Sequence, residues 1–327
     1  MNQTLNIFYE EPNPDRWFKY DRYPRQIIRR IIRGKARPGG VMMVALELMR
    51  GLDILNIAYR FNDYSYAKRH PNELICVIGK PHLIFEERFK NPIIFGAGVF
   101  SHPIECLDFF HKYRNVKKML VPGPWMEQMC KPYYGNKVIA WPVGIDTKKW
   151  SPKIKKEKPK IDFLIYDKIR WGHPLFESII NELTNQGLAY SVIRYGHYKH
   201  TDLMNELSIA KAVIFLCEHE TQGIAYQQIL ATGTPILAWD EGGYWSDPSF
   251  YPDLVKFKPV SSVPYWDDNC GMKFKNIDDF PERLDEFLSK LDFFSPRSYI
   301  IKNLTLELCA QQYVNIVKSV NEDLTNS

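Results

Sequence analysis

Short apolar runs recur along the chain, and stretches with helical spacing lie between many of them. In the first half Leu5–Tyr9, Ile54–Phe61, Leu74–Gly79, Pro92–Phe95, Lys118–Pro122 and Val138–Pro142 read as strands. Val41–Arg50 and Ile104–Tyr113 carry apolar residues three and four apart, the spacing of amphipathic helices. In the second half Ile161–Tyr166, Ala189–Tyr195, Ala212–Cys217 and Pro235–Trp239 read as strands, with helical stretches at Leu175–Gln186, Thr201–Ala210 and Gly223–Ala231. After a break at Pro296, Thr305–Val320 predicts a final packed helix through Leu306, Leu308, Ala310, Tyr313, Val314, Ile316 and Val317. Strands that alternate with helices imply parallel sheets covered on both faces, so the pattern predicts two doubly wound α/β domains.

A length of 327 residues agrees with two domains of roughly 150 residues each. With 45% hydrophobic residues there is material for two cores, which excludes a largely disordered chain. No apolar run is long enough to span a bilayer, and Met1–Asn6 lacks the basic and apolar regions of a signal peptide, so residence in the cytoplasm is expected. The net charge of +5 does not argue for nucleic acid but suits a phosphorylated or anionic partner. Cysteines are spread without a CxxC pair and read as buried free thiols. Neither an HxxxH nor a DxD occurs, so no metal is expected. The boundary between domains falls at Ser151–Lys160, SPKIKKEKPK, read as a hinge linker with solvated lysines.

The sharpest chemical signal is Glu218–Gly233, EHETQGIAYQQILATG, set between two predicted strands. Glu220 and Gly223 fall in the turn after a strand, and a helix starts near Gly223. Such a helix start offers free backbone N–H groups and a positive dipole end, suited to a diphosphate, while a nearby carboxylate suits sugar hydroxyls. An ordinary strand–turn–helix with a capping Glu fits the same spacing. Gly39 and Gly40, ahead of the helix Val41–Arg50, would let a ligand approach the backbone or would simply form a flexible turn. Arg16–Arg37 carries nine Lys and Arg against one acid, Asp21, with Ile27, Ile28, Ile31 and Ile32 at helical spacing. Trp17, Phe18, Tyr20 and Tyr23 lie beside them. This segment reads either as a solvated amphipathic surface or as a contact for an anionic membrane or phosphorylated acceptor. The aromatic stretch Tyr244, Trp245, Tyr251, Tyr265 and Trp266 reads better as packing than as a sugar platform.

These motifs, in this order, resemble the retaining GT-B glycosyltransferases of the group-1, family-4-like set. Glu220, Gly223, Gln228 and Gly233 are similar to that family's Glu, Gly three on, Glu eight on and Gly thirteen on. The run TPILAWDEGG follows as the family's does. WPVGIDTKKWSP resembles the segment ending the family's first lobe, and GGVMMVALELMRGL its Gly-Gly helix. The resemblance spans roughly residues 5 to 320.

It implies a GT-B fold with residues 1–151 as the acceptor-side domain and 152–304 as the donor-side domain. The helix within 305–327 would cross back to the first. It also implies a nucleotide-diphosphate sugar donor, a glycan, polysaccharide or lipid-linked acceptor, and retention without a metal or other cofactor. Glu220 would contact the donor sugar, and the N–H groups of Thr221, Gln222, Gly223 and Ile224 would support its hydroxyls or phosphate. Gln228 stands where the family has a Glu on the ribose; a Gln can still accept from a hydroxyl, without charge assistance. Lys168 and Arg170 would meet the diphosphate, though without the family's usual spacing. Gly39 and Gly40 would flank the donor, and His102 resembles a first-lobe His facing the sugar. Two other expectations fit the sequence: a catalytically weakened carbohydrate- or membrane-binding GT-B protein, and another nucleotide-sugar enzyme such as an epimerase.

Overall fold

Ile75–Val77, Ile93–Phe95 and Ile236–Trp239 are apolar and buried on both faces, which only a sheet covered on both sides can accommodate. In the computed structural model, which describes residues 4–10, 16–18, 21, 24, 25, 28, 40–86, 88–97 and 100–326, two such sheets form. All of their pairings are parallel. The first contains β1 (Leu5–Phe8), β2 (Tyr59–Phe61), β3 (Ile75–Val77), β4 (Ile93–Phe95), β5 (Val116–Val121) and β6 (Val138–Ala140), in the order β2-β1-β3-β4-β5-β6. Its helices are α1 (Gly40–Ile54), α2 (Tyr64–Arg69), α3 (His82–Phe85), α4 (Phe109–Lys112) and most of α5 (Pro124–Tyr134). The second contains β7 (Ile161–Asp167), β8 (Tyr190–Arg194), β9 (Ala210–Leu216), β10 (Ile236–Trp239) and β11 (Gly271–Phe274), in the order β11-β10-β9-β7-β8. Its helices are α6 (Pro174–Asn185), α7 (His200–Ile209), α8 (Ile224–Ala231), α9 (Phe280–Ser289) and α10 (Pro296–Asn303).

Each sheet anchors a compact unit. One is drawn from Met1–Pro122, Glu127–Val143 and Cys309–Ser327, the other from Gly123–Met126 and Gly144–Leu308. The final helix α11 (Leu306–Thr325) therefore packs for most of its length in the first unit, as expected. Two buried aromatic side chains tie it there: Trp141 donates its indole N–H to the Cys309 carbonyl at 2.9 Å and meets the Tyr313 ring edge-on at 4.8 Å. In the second unit Phe163, Ile165, Ile214, Leu237 and Phe274 of the sheet pack on Leu175, Ile179 and Leu183 of α6 and on Phe280, Leu284 and Phe287 of α9.

Several elements depart from the sequence reading. The helix α1 runs on to Ile54, and the strand expected over Ile54–Phe61 starts only at Tyr59. Asn56 takes a left-handed conformation (φ 53°) that ends the helix, a role Asn tolerates better than most residues. The helix expected over Ile104–Tyr113 splits into a 3-10 turn, Pro103–Glu105, and the short α4, because Pro103 and Asp108 each begin a new turn. The helices α2, α3, α5, α9 and α10 and the strand β11 have no bounded counterpart in the sequence reading, and Pro296, read as a break, opens α10. All six cysteines are free.

In the lysine-rich stretch Lys153, Lys156, Lys158 and Lys160 are exposed, as expected, but Lys155 is not solvated. Lys155 is sunk against the second unit, where its ammonium donates to the Ala210 carbonyl at 2.8 Å, and burial pushes its pKa down to about 8. The backbone N–H groups of Lys156 and Lys160 bond to Ser208 and Ile209. Reading by composition failed at Lys155 alone, because a lysine stem is apolar enough to bury when its head finds a carbonyl.

Where the second unit begins, Gly144 leaves no room for a side chain: a Cβ there would collide with the backbone of Thr305 and Leu306. The neighbouring Ile145 bridges to Thr305 and donates its N–H to the Leu304 carbonyl at 2.8 Å. Gly144→Ala is expected to lower stability by about 1–3 kcal/mol through forced separation of these segments. A lower urea midpoint would register it; an unchanged midpoint would mean the contact yields freely.

Candidate active site

In the second sheet, β7 and β9 are neighbours, but the chain leaves β7 toward β8 on one side and β9 toward β10 on the other. Loops that diverge in this way open a crevice beyond the carboxyl ends of the two strands, the usual ligand position in doubly wound sheets. The register puts Arg194, Asp167 and Leu216 at one level across β8, β7 and β9. The residues that follow, Lys168, Tyr195 and the Cys217–Gly223 loop, therefore leave the sheet together.

Lys168 and Glu220 meet there. The Lys168 ammonium lies 2.6 Å from the Glu220 carboxylate, with side chains 25% and 12% exposed, and 4.5 Å from the Tyr195 ring centroid. Burial is the largest single effect on the Lys168 pKa and lowers it, but the Glu220 charge and hydrogen bond together with Cys217 and Tyr195 outweigh it and the net shift is upward, so the lysine is a cation at neutral pH. Arg170 pairs with a different carboxylate, Glu218, at 3.3 Å, and donates to the Ser246 carbonyl at 2.9 Å. The sequence candidates Lys168, Glu220 and Arg170 thus gather at one strand end, as two adjacent ion pairs.

The backbone of Glu220 is held from two sides. Its N–H donates to the Ser261 carbonyl at 2.9 Å, and its own carbonyl accepts the Trp125 indole N–H at 2.7 Å. Ser261 is in turn fixed by the end of β10, through a hydroxyl bond to Asp240 at 3.0 Å, while Ser262 donates its N–H to the same carboxylate at 2.9 Å. Neither Ser261 nor Trp125 carried a sequence signal, since each reaches Glu220 from far along the chain. Tyr195 could have been noticed as an aromatic ending a predicted strand.

After Glu220 the loop turns sharply into α8. Gly223 is left-handed (φ 82°), and a Cβ on it would collide with the Tyr226 ring. That ring is itself pinned: the Tyr226 hydroxyl donates to the Tyr265 carbonyl at 3.1 Å and accepts from the Tyr265 N–H at 2.9 Å. Gln222 is buried and bonded to Gln227, so its side chain supports the turn, while Thr221 is exposed. Ile224 opens α8 with no side-chain cap at its N-terminus. Gln228 is buried on α8, and Gly233 (φ 81°) ends the turn after it.

The first-unit candidates stand apart from this cluster. His102 is buried and caps the 3-10 turn, its Nδ1 accepting the Ile104 N–H at 3.0 Å while its ring meets Tyr133 edge-on. Gly40 begins α1, and a Cβ there would meet nothing within 4 Å. Gly39 lies outside the described residues. Among the described residues no group of three His, Cys, Asp or Glu side chains is placed to hold a metal ion.

Comparison with known proteins fits this geometry. The chain has the fold of GT-B glycosyltransferase structures. One is the lipopolysaccharide outer core galactosyltransferase WaaB in its apo form, at TM-score 0.59 and 10% identity over 97% of this chain and 99% of that one. Another is HepE of Anabaena, solved with UDP and glucose, at TM-score 0.56 and 10% identity over 97% and 100%. Accessory secretory protein 1,2 and 3 of Streptococcus pneumoniae aligns at TM-score 0.51 and 10% identity over 80% of this chain, which spans only 56% of that one. Residues 148–246, the segment that holds Lys168, Arg170, Glu220 and Gln228, match the family described as glycosyl transferases group 1. No curated protein sequence matches this chain.

Two histidines give the fold an acid limit. Burial lowers the pKa of both His102 and His219. Unfolded histidines take up protons below about pH 6.5 while these two resist, so protonation favours the unfolded chain as pH falls. Their contribution is complete above that pH and declines below it. Urea midpoints are expected to fall between pH 7.5 and 5.5, and less steeply in His102→Gln; equal slopes in both proteins would refute the assignment to His102.

Proposed function

We propose that this protein is a glycosyltransferase of the group-1 type, acting in the cytoplasm with retention on a nucleotide-diphosphate sugar. The acceptor would be a glycan, polysaccharide or lipid-linked sugar. The observation that carries this reading is the Lys168–Glu220 pair at the switch point of the second sheet, inside the segment that matches the family. Breaking a sugar–diphosphate bond builds negative charge on the leaving phosphate. Fixed cations and a helix N-terminus lower that barrier without rearranging. Lys168, Arg170 and the uncapped start of α8 are the groups of this chain suited to that task. Glu220 would accept from the sugar hydroxyls, and Gln228 from the ribose with a neutral, weaker hydrogen bond. In this reading the leaving phosphate takes the acceptor proton, so the chain supplies no separate base and no metal. His102 and the Gly39–Gly40 turn are proposed as donor-side groups of the first unit.

Without donor, Lys168 is neutralised by Glu220. A diphosphate would replace that carboxylate as the partner of the cation and release Glu220 to the sugar. Glu220→Ala is expected to cut transfer or donor hydrolysis by about 100- to 1,000-fold with the fold intact, by analogy with loss of a preorganised charge-stabilising donor. Lys168→Met should do likewise, whereas Gln228→Glu should tighten donor binding. Full activity in Glu220→Ala would overturn the assignment. A wild-type chain that binds nucleotide sugars but never turns them over would favour the weakened binding protein.

A second reading concerns Arg16–Arg37. Most of it lies outside the described residues, including Tyr20, Tyr23, Ile27, Ile31 and Ile32. Of what is described, Trp17 and Phe18 are 76% and 65% exposed, while Arg25 is buried in an ion pair with Asp21 at 3.0 Å and so is not a free surface charge. We propose that the exposed aromatics and the remaining cations rest on an anionic membrane surface. Among the described residues no helix is long and apolar enough to cross a membrane. Pelleting with vesicles containing anionic lipid is expected, reversed by salt and weakened in a Trp17→Ala, Phe18→Ala double variant; no pelleting at low salt would remove the idea.

A further inference from the structure

Strand order places Lys168 between two loops. It leaves the carboxyl end of β7, which has β9 on one side and β8 on the other. From the β9 side Glu220 reaches the ammonium at 2.6 Å, and from the β8 side the Tyr195 ring centroid lies 4.5 Å from it. The first contact answers one charge with another. The second is not a by-product of core packing, because Tyr195 is 55% exposed.

The ring is nonetheless held in place. The Tyr195 N–H donates to the Asp167 carbonyl at 2.8 Å, which carries the β7–β8 pairing one residue beyond β8. Three residues on, the Tyr198 hydroxyl shares a hydrogen bond of 2.8 Å with that of Tyr166, and the two rings meet edge-on at 5.8 Å. Tyr195–Tyr198 is therefore tied to β7 at both ends, once beside Lys168 and once at Tyr166. The loop Tyr195–His200 contains no Asp or Glu, so a ring face is what it offers the ammonium.

That contact matters when the partner of Lys168 changes. In the proposed donor site a diphosphate takes Lys168 from Glu220, and the ammonium then needs a second contact that does not oppose a negative ligand. An aromatic face supplies one, since its quadrupole attracts a cation while the ring carries no net charge. A second carboxylate in that place would repel the diphosphate. The neighbouring cation–ring pair, Arg194 over Trp171 at 3.8 Å, lacks this freedom because Arg194 is also paired with Asp167. We propose that Tyr195 is a positioning residue for Lys168, its ring holding the ammonium at the end of β7 while a nucleotide diphosphate replaces Glu220. The inference rests on the proposed donor site and adds to it a residue that acts through Lys168.

The test is calorimetric titration of the full chain with UDP, GDP, ADP and inorganic pyrophosphate, in wild type, Tyr195→Leu and Tyr195→Phe. At least one nucleoside diphosphate should bind wild type, and Tyr195→Leu should weaken it about three- to tenfold. Pyrophosphate should weaken by the same factor, because the effect runs through the cation. Tyr195→Phe keeps the ring face and should bind as wild type does, which a loss through general loosening of the loop would not reproduce. Unchanged nucleotide binding in Tyr195→Leu, equal weakening in Tyr195→Phe, or a loss for nucleotides with pyrophosphate binding intact would each overturn the inference and leave the donor site standing. The last of these would mean that the ring stacks on the base instead. A wild-type chain that binds none of the nucleoside diphosphates would overturn the donor site and the role of Tyr195 together.

Discussion

Parallel pairing of β7 with β9 governs where chemistry can occur in the second unit. The Lys168 N–H still donates to the Leu216 carbonyl at 2.8 Å, and the chain then departs in opposite directions. Beyond that bond, side chains or a ligand must fill the gap. Here Lys168 and Glu220 do so, each satisfying a charge that would otherwise be stranded in a partly buried place. In the proposed function an anionic donor would enter this crevice by exchanging one carboxylate for another negative group.

Around that pair the fold spends several unusual features on holding one loop still. Gly223 is left-handed against the Tyr226 ring, Tyr226 is clasped by Tyr265, and the Glu220 backbone is bonded to Ser261 and Trp125. In the role proposed for Glu220, a carboxylate meeting a sugar in a fixed orientation would gain from such support, because the ordering cost is met on folding rather than on binding. The histidines do different work. His102 uses a ring nitrogen to cap a turn, which accounts for its burial by local structure alone. The buried polar group of β1, Asn6, is likewise accounted for locally, by bonds to Arg60, Glu73 and the Leu74 carbonyl.

Fold class was legible because it rests on local pattern. Apolar runs alternating with helical spacing can be covered only in parallel sheets, and most core strands formed close to where their runs predict. The reading failed where one residue type carried a conformational role that pattern ignores: Asn56 ending α1, Pro103 and Asp108 restarting a helix, Lys155 burying its stem. The candidate site was half legible. Glu220, Gly223 and Gln228 lie within one strand–turn–helix and announce themselves by spacing. Lys168 and Arg170 could be named as cations after a strand, but their separate carboxylate partners could not.

By itself the sequence determined the strand and helix periods, the positions of the loops rich in chemistry, and the glycine needed at a left-handed turn. Those are consequences of local sterics and of which faces must be buried. Only the tertiary structure decided that Lys168 meets Glu220 while Arg170 meets Glu218, that Ser261 and Trp125 steady the loop, and that Asn6 bonds to Arg60 and Glu73. Contacts of that kind join residues tens to hundreds of positions apart. They depend on strand order and register, which no local pattern encodes.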